Sequence, residues 1–262
     1  MVKPELVLSN TTSFFTGAIS TVFRNAKKYG FKYVEIVPYR WTTPEQIAAL
    51  ETKYGVAVAG IHMSTWWNKS MKEVLAERPG LSEKLLALVF SAYLGDGAKN
   101  PGLAIAEALE DKKPYVLFHT ITVSHLKEEF EKLTSRFHVV TENVPREPGY
   151  PQWFWDPIIA KATLERRGLA GLVFDPGHFG ETLRVMTHLN TLEAYKKSQP
   201  EIIHISYNSR IRHLLPNKQE QEELKQMLQA HVPRYIVIET NPFVSIKKGK
   251  ELLDKIIAEA LS

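Results

Sequence analysis

Short apolar runs recur eight times along this 262-residue chain, and each is followed by a segment of helical periodicity. Alternation this strict leaves few folds open. Parallel strands cannot be joined by a tight turn, so each pair needs a crossover, and crossovers take one hand. The runs fall at residues 6–9, 33–37, 56–62, 115–119, 138–142, 171–174, 201–206 and 235–239. The later ones, such as YVLF and YIVI, are continuously apolar, as expected of a parallel sheet buried on both faces. Helices are expected near 15–30, 43–54, 81–93, 102–110, 125–136, 156–167, 181–197, 217–230 and 245–261. Thr43 before Pro44 starts one of them, and Gly30 and Gly55 stop two. Eight units in this length predict a closed (β/α)₈ TIM barrel, with outer helices, filling 1–262 as a single domain. An open doubly wound sheet is the rival. No G-x-G-x-x-G follows the first strand, which removes the usual reason for that rival, and no nucleotide cofactor is expected.

The chain has no Cys, so thiolate metal sites and disulfides are excluded and any metal must take N or O donors. The formal net charge of +4 is diffuse, with no basic block; it tolerates a phosphate-bearing ligand without pointing to nucleic acid. Apolar runs stay short of the ~18 residues needed to cross a bilayer, and the N-terminus lacks the core of a signal peptide. A cytoplasmic protein with no membrane partner is therefore expected. Nothing in the pattern fixes an oligomeric state.

The same runs end in costly residues. His62 closes the third, His119 the fourth and Glu142 the fifth; Asp175 follows the sixth, His204 lies in the seventh, and Glu239 closes the eighth. Taken singly, each has a bland explanation: a strand-end His bonds a neighbouring carbonyl, and a Glu pairs with Lys or Arg. Taken together, they are harder to dismiss. In a parallel barrel all strand C-termini open on one rim, where three carboxylates and several imidazoles would repel or desolvate one another unless a divalent cation sits between them.

The motifs GFKYVEIVPYR, GIHMS, FHT, TEN, FDPGHF, HISYNSRIRHLLP and IVIETNP, spread over nearly the whole chain, resemble the xylose-isomerase-like TIM barrels. That superfamily includes sugar isomerases and epimerases and the endonuclease IV-type abasic-site nucleases. The resemblance implies a divalent metal (Mn, Zn, Co or Mg) held by Glu142, Asp175, His204 and Glu239, with Glu142 and Glu239 also catalytic. It further implies that His178 and Arg210 bind substrate oxygens. The nuclease branch adds ions, for which His62, His119, His178 and His213 would serve. That likeness is incomplete: Ile211 stands where the nucleases carry an Asp two residues before His213, and NVPREPGYP replaces their Gly-rich segment after Glu142.

Trp66, Trp67, Trp153 and Trp155 lie just past strand ends, as does Trp41. Packing between barrel and helices accounts for most such residues, but Trp66 and Trp153 are candidates for a wall against a sugar face. Arg40, Arg146 and Arg210 read either as rim ion pairs or as clamps for an anionic group. His125, His138, His188 and His231 read as structural or exposed. The stretch 66–113 reads as an extra surface helix pair; its glycines, Gly95, Gly97 and Gly102, also suit a lid. The expected function is metal-dependent isomerisation or epimerisation of a small sugar or hydroxy-carbonyl compound through an enediolate. The alternatives are a zinc phosphodiesterase acting on abasic-site DNA, with nucleic acid as partner, and a non-catalytic ligand-binding barrel.

Overall fold

The computed structural model describes residues 3–63, 93, 101–126, 128–207 and 213–262, without the side chains of 14, 15 and 125. Trp66, Trp67, Arg210, Ile211 and nearly all of the expected 81–93 helix lie outside the described residues.

Eight parallel strands close into a barrel in sequence order, β1 pairing back to β8. They are β1 (Glu5–Ser9), β2 (Tyr33–Ile36), β3 (Ala57–His62), β4 (Tyr115–His119), β5 (His138–Glu142), β6 (Gly171–Phe174), β7 (Ile202–Ile205) and β8 (Tyr235–Ile238). Closure leaves one apolar cluster outside the strands and one inside them among the described residues. The larger lies between strands and outer helices, with Phe23, Ile47, Phe130, Leu224 and Leu253 meeting the outward residues of the strands. The smaller fills the barrel: Val7, Ala59, Tyr115, Leu117, Val140, Val173, Ile202, Tyr235 and Val237. Side chains two apart share a strand face, so these inward positions project upward onto the next layer. Tyr115 and Leu117 lead to His119, Val140 to Glu142, Val173 to Asp175, Ile202 to His204, and Val237 to Glu239. An apolar floor thus carries a polar ceiling.

β2 and β3 depart from even register. Val34 faces Val58 but Glu35 faces Gly60, so one extra residue of β3 is accommodated there. Gly60 in turn faces Tyr115 of β4. A Cβ at Gly60 would fall 2.0 Å from the Tyr115 ring, so the glycine is what lets that ring lie across β3.

Four expected helices are divided or shifted. The reading of 181–197 becomes two helices, Pro176–Leu183 and Thr191–Ser198. Pro176 does not break structure here; it occupies the first helical position behind Asp175, whose Oδ1 accepts from the backbone N–H of His178 at 2.8 Å. Asn190 caps the second helix. The 125–136 helix starts earlier, as Thr120–Leu126 followed by Glu128–Arg136. A short turn, Gln152–Trp155, precedes Pro157–Leu164, where Asp156 caps. The first helix is only Ser20–Tyr29. The residues before it form 3₁₀ turns, because Asn10 and Thr12 spend their side chains on backbone: Asn10 exchanges two bonds with Val37, and Thr12 donates to the Ser9 carbonyl. Of the 66–113 stretch, Gly102–Ala108 is helical. Among the described residues, no helix is long and apolar enough to cross a membrane.

Candidate metal centre

Glu142 is the hub. It is fully buried at the end of β5, and among the described residues neither carboxylate oxygen has a hydrogen-bond partner. Oε1 lies 3.2 Å from His204 Nδ1 and 3.7 Å from His178 Nδ1. Oε2 lies 3.5 Å from His119 Nε2 and 3.7 Å from His62 Nε2. Four imidazoles therefore surround one carboxylate. The rings form an arc: His204 to His62 at 5.7 Å between centroids, His62 to His119 at 4.9 Å, His119 to His178 at 6.3 Å, and His178 to His213 at 6.5 Å.

Glu142, Asp175, His204 and Glu239 each offer a donor atom within 4.8 Å of the others, and all four residues are buried. His62, His119 and Glu142 form a second such group, and Glu35, His62 and His204 a third. His204 Nδ1 approaches Glu239 Oε2 to 2.7 Å, yet neither this contact nor that to Glu142 is aligned as a hydrogen bond. Orphaned donor atoms packed this closely in the interior are costly without compensation. A divalent cation supplies it, and three carboxylates with one imidazole suit Mn²⁺, Mg²⁺, Co²⁺ or Zn²⁺. The residues present fit such an ion.

Neighbours hold the donors in place. Asn143 receives the backbone N–H of Asp175 at 3.0 Å and donates to its carbonyl at 3.2 Å, pinning β5 to β6 at the site. Ser206 donates its hydroxyl to Asp175 Oδ2. The Asp175 helix packs so tightly on the end of β7 that a Cβ at Gly177 would lie 1.9 Å from the Ser206 carbonyl oxygen. His178 Nδ1 donates to the Asn143 carbonyl at 2.9 Å, which leaves Nε2 for a ligand. His213 Nδ1 sits 3.2 Å from the Glu239 carbonyl, on a backbone with φ of 41°.

Charge follows from these distances. Burial opposes protonation of His204, but Glu35, Glu142 and Glu239 outweigh it and raise its pKa well above the usual range. Burial likewise opposes the low value of Glu239, which the charge and contact of His204 nonetheless bring down to about 2. His62 is raised despite burial, chiefly by Glu35. Burial, then the neighbouring imidazoles His62 and His178, hold His119 well below the usual range.

One residue here has no counterpart in the sequence reading. Glu35 lies inside β2, not at its end, and is fully buried. Its signal was an acid in an otherwise apolar run, on the inward parity set by Tyr33. Trp153 is half-buried and packs edge-on against Phe154 at 4.5 Å between centroids, among Val144 and Trp155. Trp41 stacks on Tyr39, and Arg40 lies beside the Trp41 ring. Arg146 lies beside Trp155. His138 pairs with Glu201 at 2.7 Å and His231 meets the Pro200 carbonyl at 3.0 Å, both away from the rim; His188 is exposed.

Neither a family model nor a curated protein matches the sequence. Solved structures do. An AP endonuclease of family 2 from Brucella melitensis matches with a TM-score of 0.63 at 15% identity, over 96% of this chain and 98% of that one. A 3-keto-D-glucoside 4-epimerase from E. coli gives 0.61 at 16% identity, over 99% of each chain. The chain has the fold of these enzymes. D-psicose 3-epimerase shares it too, with a TM-score of 0.56 at 10% identity over 98% of this chain and 96% of that one. At such identities the likeness establishes the barrel, and chemistry has to be argued from the site.

Proposed function

We propose that this chain is a divalent-metal-dependent isomerase or epimerase acting on a small sugar or related hydroxy-carbonyl compound. The observation that carries the reading is the buried group Glu142, Asp175, His204 and Glu239, with both Glu142 oxygens and His204 Nδ1 left without hydrogen bonds among the described residues. These four residues would hold the ion, and a bound ion polarises adjacent carbonyl and hydroxyl oxygens, making the intervening α-proton more acidic. Moving that proton falls to the chain. Glu142 and Glu239 approach His204 Nδ1 from different strands, and in this reading one carboxylate removes the proton while the other returns it. His178, anchored through Nδ1, turns its other nitrogen to a substrate oxygen. Arg210, Trp66 and Trp153 are assigned to the substrate's periphery. The two epimerases that share the fold are consistent with this chemistry. The test is α-proton exchange in D₂O across a panel of ketoses and 2-hydroxy aldehydes, with metal content measured on the same preparation. A metal-loaded protein that exchanges none of them refutes the reading.

A second reading, hydrolysis of abasic-site DNA, is favoured by the His62, His119 and Glu142 group, which shares Glu142 with the first and would let that carboxylate bridge two ions. Incubation of an abasic duplex with the protein and Zn²⁺ tests it. Strand incision that weakens steeply with salt supports it, and absence of incision refutes it.

A further inference from the structure

Glu35 is a carboxylate buried beneath the centre, and none of the roles above uses it. Its side chain is completely enclosed, and among the described residues no Lys or Arg pairs with it. Tyr115 reaches across Gly60 and donates its hydroxyl to Oε2 at 2.7 Å. His204 Nε2 meets the same oxygen at 3.1 Å, and His62 Nδ1 lies 3.5 Å from Oε1.

Two roles are open to such a group. It could be an ion ligand with His62 and His204, since those donors also converge. A neutral imidazole, however, has one lone pair. His204 can give Nδ1 to the Glu142, Asp175 and Glu239 group or Nε2 to Glu35, and not both. His62 is bound by the same choice, its Nε2 facing Glu142 and its Nδ1 facing Glu35. The group with three carboxylates outbids the group with one. His204 then keeps its proton on Nε2, and Glu35 Oε2 accepts it, while His62 Nδ1 lies 3.5 Å from Oε1 without a hydrogen bond among the described residues.

We propose that Glu35 is a positioning residue that fixes the tautomer of His204, so that the ring presents its Nδ1 lone pair toward Glu142, Asp175 and Glu239. The proposal rests on the metal reading of the four-residue group, and it assigns Glu35 the place of a carboxylate behind a ligating imidazole, where such groups set affinity. Tyr115 is the anchor that holds Oε2 of the carboxylate beside His204 Nε2.

Zn²⁺ alone is the probe. Titration into the wild-type chain, Glu35→Leu and Glu35→Gln gives three dissociation constants, and ring ¹⁵N spectra of the Zn²⁺-loaded wild type report the tautomers without any substitution. The expected results are a 10- to 100-fold weaker Zn²⁺ constant for Glu35→Leu, and recovery of most of that loss in Glu35→Gln, whose amide oxygen can still accept from His204. In the spectra His204 should be protonated at Nε2 and metal-bound at Nδ1. Unchanged affinity in Glu35→Leu, or metal at Nε2 of His204, overturns the proposal while leaving the metal centre standing. A wild-type chain that takes up no Zn²⁺ removes the centre itself. If Glu35→Leu does not fold, the wild-type spectra decide alone.

Discussion

Replacing Glu142 by Gln should abolish the stabilisation that metal confers while leaving the barrel folded. The substitution keeps volume and removes the one anionic donor common to two of the three donor groups. A ligand that binds only the native state at 100 times its dissociation constant stabilises by about 2.7 kcal/mol. Unfolding entropy of roughly 2.1 cal/mol/K per residue over 262 residues comes to about 0.55 kcal/mol/K. Saturating metal should therefore raise the wild-type midpoint by about 5 °C. In Glu142→Gln the amide nitrogen is a donor aimed among imidazoles that lie 3.2 to 3.7 Å from the original oxygens, so it cannot serve as a ligand there. At the same metal concentration the shift should drop below about 1 °C, which corresponds to a dissociation constant weakened at least roughly 60-fold by the same relation. Thermal unfolding followed by far-UV circular dichroism, after chelator treatment and after re-addition of Mn²⁺ or Zn²⁺, measures both shifts. An equal metal-induced rise in wild type and Glu142→Gln would refute the claim that Glu142 is at the heart of an ion site.

In the metal-free protein the stabilisation from the His204–Glu239 pair should be fullest between about pH 4.5 and 6.5. His204 has a raised folded-state pKa, so its contribution is full below the unfolded value of 6.5 and is lost as pH climbs through the folded value; Glu239 is depressed to about 2, so its contribution is full above 4.5 and is lost as pH falls toward 2. Melts of chelated protein below and above that window, with proton release on metal addition at pH 6, check both signs. Asn143→Ala removes two buried hydrogen bonds to the backbone of Asp175 and should cost about 2–3 kcal/mol in urea unfolding, with weaker metal binding beside it. Gly60→Ala puts a methyl into the Tyr115 ring, so a loss of about 1–3 kcal/mol is expected, together with a loss of Zn²⁺ affinity because Tyr115 holds Glu35.

The barrel was legible because its cause is local and repeated. Each apolar run needs cover on both faces, each amphipathic segment supplies it, and eight such units have one closed solution. Strand ends were legible for the same reason: His119, Glu142 and Glu239 interrupt apolar runs with side chains that are costly to desolvate. Helix boundaries were less so. Pro176 and Gly177 look like a loop in isolation, and only the capping bond from Asp175 and the close approach to Ser206 show why they begin a helix.

The sequence by itself determined that costly donors end the strands of a parallel barrel, because period and polarity are properties of short segments. Only the tertiary structure decided which of those donors meet, since contact between His204 and residues 35, 142 and 239 depends on closure and register. Glu35 shows the difference most sharply. Nothing within YVEIV says that one irregularity in the β2–β3 pairing, a missing side chain at residue 60 and a tyrosine eighty positions away would place this carboxylate behind a histidine of β7.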